Sequence, residues 1–138
     1  MMFKNKKIVI SASSNFTNEV KGLVTSFKEK ENDVLEYVKD NDREYKDVLY
    51  NFYTAIDNAD VLFVYNKEKK GINGYIGTSV FSEINHAAIN NIVHNKNIDI
   101  YLFNDIDENS MCYDELKYYL DIGMIKVLSD KEKESLYM

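Results

Sequence analysis

An α/β fold, built as a five-stranded parallel sheet with helices on both faces, is what this sequence predicts, and three observations support it. Short apolar runs alternate with stretches whose apolar residues recur at helical spacing, giving the order β-α-β-α-β-α-β-α-β. One run, Val61-Leu-Phe-Val-Tyr65, is apolar without interruption, as befits a strand covered on both faces. Each strand is followed by a helix-length segment, and helical crossovers make neighbouring strands parallel and the winding right-handed.

Lys7-Ile-Val-Ile-Ser-Ala-Ser13 reads as a short buried strand ending in small hydroxyl residues. Phe16, Val20, Leu23, Val24 and Phe27 then mark a first helix, with Thr17 as its expected N-cap and the charged stretch 28–33 as its close. Val34–Val38 is a second, shorter strand. Asn41-Asp-Arg-Glu44 has the form of a capping box, and Tyr45, Val48, Leu49, Phe52, Ile56 and Ala59 follow on one face, so a helix is expected over 43–58. Asp60 opens the strand Val61–Tyr65.

Val80, Ile84, Ala87, Ala88 and Asn91 define one side of a third helix, Ile98–Phe103 is the fourth strand, and residues 111–122 make a fourth helix through Leu116, Tyr119 and Leu120. Gly123 stands where a helix C′ glycine belongs. Met124–Leu128 is the last strand, and the charged tail after it is expected to fray. The architecture is that of doubly wound, flavodoxin- or Rossmann-like sheets. Neither a repeat nor a linker divides the chain, so one domain spanning 1–138 is expected.

The composition is globular, with 45% hydrophobic residues, eleven tyrosines and no tryptophan. A net charge of −6 argues against general nucleic-acid binding, which needs a basic face to displace counterions. The lone cysteine, Cys112, permits no internal disulfide, and His86 and His94 have no neighbouring ligands to complete a metal set, so no metal is expected. The apolar run Ile8-Val-Ile10 is far shorter than the ~7–15 residues of a secretion signal's core. No run approaches the ~18 apolar residues of a membrane span. A cytoplasmic protein without a membrane segment is therefore expected.

In open parallel sheets ligands bind beyond the carboxyl ends of the strands, near the switch in strand order. Two loops qualify: Ser11-Ala-Ser-Ser-Asn15, and 66–77, which holds three of the five glycines in Gly71-Ile-Asn-Gly-Tyr-Ile-Gly77. That spacing is neither of the familiar phosphate-loop patterns. Glu83 follows closely. With Thr78 or Ser79 as cap it falls in the second turn of the third helix, flanking the stripe of Val80 and Ile84 and directed toward the seam between helix and strand ends. Two readings stand side by side: a carboxylate complementing the helix dipole, worth ~0.3–1 kcal/mol, or a nucleophile or general base. Lys67, Lys69 and Lys70 read first as a solvated loop and alternatively as phosphate contacts. His86 is expected on the surface, His94 in a polar connection, and Cys112 as a packed or capping-turn thiol. Tyr113, Tyr118 and Tyr119 read mainly as packing residues.

The segment Ala59-Asp-Val-Leu-Phe-Val-Tyr-Asn66, the loop Asn73-Gly-Tyr-Ile-Gly77 and the helix Ser82-Glu-Ile-Asn-His-Ala87 together resemble the nucleoside 2-deoxyribosyltransferase-like family. The resemblance covers most of the chain in element order, with its specific residues between about 59 and 103. It implies a compact five-stranded α/β fold in which Glu83 attacks the anomeric carbon of a nucleoside, releases the base and forms a glycosyl ester that a second base or water resolves. Ser11, Ser13, Phe16, Asn66, Gly74, Tyr75 and Gly77 would then bind base and sugar. It further implies a nucleoside or nucleotide as partner, no cofactor, and a homo-oligomer. Where the family has glycines on either side of the glutamate this chain has Phe81 and Asn85. Where it has an aspartate six residues earlier there is Gly77, and the base-binding aspartate of the preceding helix is replaced by Phe52 or Tyr53. Asp57, Asp60 and Tyr75 are the substitutes at hand, with Asp60 better read as a strand-start residue. A non-catalytic nucleotide-binding or sensor domain, and a flavin carrier using the serine-rich first loop, remain the alternatives from other classes.

Overall fold

The computed structural model describes residues 3–39 and 43–137. Its centre is a five-stranded, all-parallel sheet in the order β2-β1-β3-β4-β5, made of β1 (Lys7–Ser11), β2 (Asp33–Tyr37), β3 (Val61–Val64), β4 (Asp99–Leu102) and β5 (Ile125–Val127). The chain runs outward from β1 to β2, then back across β1 to β3. The switch point therefore lies between β1 and β3.

Side chains alternate along each strand and so divide the core into two layers. Ile8, Ile10, Val61, Phe63 and Tyr65 pack with Val20, Leu23, Val24 and Phe27 of α1 (Thr17–Glu29). Val9, Leu62, Val64, Ile100 and Leu102 face the other way, onto α2 (Tyr45–Asp57), α3 (Thr78–Val93) and α4 (Tyr113–Asp121). By the same alternation Ser11 points to the α3 side. Both faces are covered, as the uninterrupted apolar run of β3 requires. Among the described residues no helix is long and apolar enough to cross a membrane.

Several helix ends differ from expectation. Thr17 begins α1 without capping it: Ser13 caps a short 3-10 turn, Ser14–Phe16, that leads straight into the helix. Glu44, not Asn41, is the N-cap of α2, and it makes no side-chain cap hydrogen bond; Asn41 and Asp42 of the expected capping box lie outside the described residues. Gly77 is the N-cap of α3, so the cap is one residue earlier than Thr78 or Ser79 and offers no side chain. Gly123, at φ 76°, closes α4 as expected, with Met124 N–H donating to Tyr119 C=O at 2.8 Å.

The tail is ordered where fraying was expected. Ser129 and Glu132 form a reciprocal capping box at the start of α5 (Asp130–Ser135). Leu136 packs into the α1-side core, and the Lys30 ammonium donates to the carbonyls of Ser135 and Leu136, each at 2.7 Å.

Candidate active site at the switch point

A cleft of about 730 Å³ opens where β1 ends, lined by the 12–14 loop, by Val48, Leu49, Phe52 and Tyr53 of α2, by Lys69 and Tyr75, and by the first turns of α3 through Glu83. Its volume is that of a small-molecule site. Thr78 and Ser79 bring the start of α3 to the cleft, where the helix's first N–H groups have no side-chain cap.

Glu83 lies in the second turn of α3 and is only 9% exposed. The Ser11 hydroxyl, at the end of β1, donates to its Oε1 at 2.7 Å. Burial pushes the Glu83 carboxyl up to about 7, the Ser11 hydrogen bond opposes that rise, and the Glu36 carboxylate adds to it. Glu36 itself is charged: although burial raises it, the Lys39 ammonium, the Tyr37 N–H and Arg43 hold it below the usual range. The cleft thus contains a buried carboxyl that exchanges its proton near neutrality, with one oxygen held by a hydroxyl.

Lys69 reaches the cleft through a tight turn. Lys69 and Ile72 exchange both backbone hydrogen bonds, at 3.1 and 3.0 Å, around Lys70 and Gly71, whose φ values are 55° and 77°. Two positive φ values in succession are the hairpin geometry that glycine favours. From this turn the Lys69 ammonium donates to Ser13 Oγ at 2.9 Å and lies 5.2 Å from the Tyr75 ring centroid. Among the described residues that line the cleft it is the one cation.

The residues proposed from the sequence separate into two groups. Glu83, Ser13, Tyr75 and Gly77 line the cleft, and Ser11 acts through Glu83. Phe16 lies in the α1-side core, edge-on to Tyr65 at 5.9 Å, and is not a lining residue. Asn66 is buried and fully engaged: its amide donates to Asn104 C=O at 2.8 Å and accepts from Asn104 N–H at 2.9 Å, tying the ends of β3 and β4 together. Gly74, at φ 65°, lies so close to Asp105 that a Cβ there would be 1.9 Å from its carbonyl oxygen. Asn66 and Gly74 thus shape the loop and do not line the cleft.

The substitute acids are also placed. Asp60 accepts from the Lys7 N–H at 2.9 Å, at the opposite end of the sheet from the cleft. Asp57 accepts from His86 and from the Asn90 amide, each at 2.7 Å, so His86 is tied to α2 and is not a free surface residue. Tyr119 is buried against Asn85, whereas Tyr118 is exposed.

What the sequence did not disclose is the pairing across the α2–α3 seam. Tyr53 and Ser82 hydroxyls lie 2.6 Å apart on the cleft wall, 29 residues apart in the chain. The only signal was Tyr53 occupying the place of an expected aspartate.

No protein-family model matches the chain, and no curated protein does. Several solved structures resemble it, among them these two. The Clostridium botulinum CMP N-glycosidase BcmB matches with a TM-score of 0.58 at 18% identity, over 95% of this chain and 95% of that one. CapF, solved with the inhibitor 3-isopropenyl-tropolone, matches with a TM-score of 0.51 at 16% identity, over 88% of this chain but only 28% of CapF. At such identities the likeness is one of fold, and it is consistent with the nucleoside 2-deoxyribosyltransferase-like architecture expected from the sequence.

Proposed function

We propose that this protein cleaves or transfers at the N-glycosidic bond of a nucleotide or nucleoside, with Glu83 as nucleophile. The observation that carries this reading is the buried Glu83 carboxyl, held by Ser11 at 2.7 Å on the wall of the switch-point cleft. A desolvated carboxylate is a strong partner for the positive charge that develops at an anomeric carbon as the base departs. Attack of the free oxygen on C1′ breaks the C1′–N bond and leaves a glycosyl ester. Water or a second base then attacks C1′ and restores the carboxylate. The fold likeness to BcmB, a CMP N-glycosidase, supports the same reaction class.

Lys69 favours a phosphorylated ligand, because an acidic chain has placed this lining cation beside Ser13 and the uncapped start of α3. Val48, Leu49 and Phe52 supply an apolar wall against which a base can pack. A second reading, a nucleotide-binding module without chemistry, is favoured by one observation: among the described residues, Glu83 is the one carboxylate that lines the cleft.

The test is chromatography of free base after incubation with deoxynucleosides, nucleoside monophosphates and NAD, with and without an acceptor base. Base release by the wild type, lost in Glu83→Gln, is the expected result. No release from any of them by folded protein would replace this reading with the binding module.

A further inference from the structure

Among the described residues Glu83 is the one carboxylate lining the cleft, and an N-glycosidase that spends it on attack still needs a proton for the departing base. We propose that the Tyr53 hydroxyl supplies it, with Ser82 as its hydrogen-bond partner; the inference rests on the glycosidic reading of the cleft.

The geometry selects Tyr53 among the acidic hydroxyls present. Tyr75 lies under the Lys69 and Lys70 ammoniums, 5.2 and 6.0 Å from its ring, which assigns it to the anionic side of the cleft. Tyr45 is 66% exposed, in the first turn of α2. Tyr53 belongs to the same α2 wall as Leu49 and Phe52, where a base would pack, and its hydroxyl meets that of Ser82, the residue preceding the nucleophile, at 2.6 Å.

Behind the ring lies a brace. His86 packs edge-on against Tyr53, centroids 4.7 Å apart and planes at 76°. The Asp57 carboxylate can only accept, so His86 Nε2 carries the hydrogen of their 2.7 Å bond, and the Asn90 amide donates to the same oxygen. His86 is thus a positioning residue: it fixes the Tyr53 ring without touching ligand.

In the reaction, Ser82 donates to the Tyr53 oxygen and Tyr53 donates to the base. As Glu83 bonds to C1′, the C1′–N electron pair passes to the base, which takes the Tyr53 proton. The resulting phenolate keeps the Ser82 hydrogen bond. In the second step water attacks C1′, its proton returns to Tyr53, and the C1′–O bond to Glu83 breaks. Every proton and electron pair is accounted for without a cofactor.

A leaving group that needs no proton isolates this role. Nicotinamide departs from its nucleotide as a neutral molecule, whereas a pyrimidine or purine departs as an anion unless protonated. Tyr53→Phe, which retains the ring against His86, is compared with wild type on the best ordinary nucleotide and on the nicotinamide nucleotide of the same sugar. The expected result is a loss of about 100-fold or more on the ordinary base, within the range for general acid catalysis, and near wild-type turnover of the nicotinamide substrate. Equal losses on both, or none on either, would overturn the proposal while leaving Glu83 in place. Glu83→Gln should abolish both. Cleavage of neither by wild type would overturn the glycosidic reading, and this inference with it. His86→Ala should reproduce part of the Tyr53→Phe pattern, with the ordinary base more affected than nicotinamide.

Discussion

The Ser11 hydroxyl at the end of β1 donates to Glu83 Oε1 on α3 at 2.7 Å, across 72 residues of chain. This bond joins the first strand to the helix that follows the glycine loop, and it is the interaction that opposes the upward push of burial on the Glu83 carboxyl. In the proposed reaction attack requires the ionised form. With its carboxyl pushed up to about 7, Glu83 is half ionised near neutrality, so kcat/KM should rise tenfold per pH unit below 7 and level off above it. Removing the hydroxyl in Ser11→Ala should move that midpoint upward by about one unit, the value of one hydrogen bond to a charged group. A pH–rate profile of both proteins measures it. An unmoved midpoint would mean that another group sets the profile.

The same carboxyl burdens the fold. The unfolded chain releases this proton near the ordinary carboxyl value of 4.5, the folded chain near 7. Between those values the folded state binds more protons, so stability falls as pH rises through the window. Glu83→Gln keeps the shape and an acceptor for Ser11 but has no proton to lose. Relative to wild type it should therefore gain stability between pH 4.5 and 8, by about 3 kcal/mol. Urea unfolding of both proteins at the two pH values reads the difference. Parallel curves would mean that Glu83 is not desolvated.

Two glycines of one loop should respond unequally. Gly71 and Gly74 both have positive φ, 77° and 65°, but only Gly74 has backbone within reach of a Cβ, the Asp105 oxygen at 1.9 Å. Gly71→Ala should cost about 1 kcal/mol, from backbone conformation alone. Gly74→Ala adds a contact that the backbone must move to relieve, for a total of about 3 kcal/mol. Thermal unfolding of the two variants checks the order, and equal losses would sink the close-approach explanation.

These contrasts show where sequence reasoning reached and where it stopped. The sheet was legible because burial on both faces forces β3 to be apolar throughout, and because α1 and α2 must repeat apolar residues at helical spacing to cover it. Glu83 was legible from position: a carboxylate beyond a glycine loop at the end of a parallel strand. The roles of Asn66 and Gly74 were not, since each depends on a partner in the 104–105 segment more than thirty residues further on. Leu136 gave no signal either. A single apolar residue in a charged tail shows no periodicity, and only the groove beside Lys30 shows why the tail folds back. The Lys69 turn was obscured by its own composition, for Lys70 occupies a left-handed position that glycine or asparagine would have advertised.

Lys69 yields the prediction that separates a nucleotide from a nucleoside ligand. Its ammonium donates to Ser13 Oγ at 2.9 Å and lies 5.2 Å from the Tyr75 ring centroid, so a phosphate entering between Ser13 and Thr78 would meet a charge already in place. Lys69→Met preserves the apolar stem over Tyr75 and removes only the charge. A charge-assisted hydrogen bond is worth ~1.5–3 kcal/mol, so Kd or KM for a monophosphate should rise roughly 10- to 100-fold. The corresponding nucleoside should bind as before, and kcat should remain within about a factor of two for either substrate, because in the proposed reaction Glu83 and not Lys69 acts on the anomeric carbon. Titration of matched nucleoside and monophosphate pairs against both proteins supplies the comparison. If the variant weakens both members of a pair equally, the lysine acts through the Lys69–Ile72 turn, and the anion is held elsewhere in the cleft.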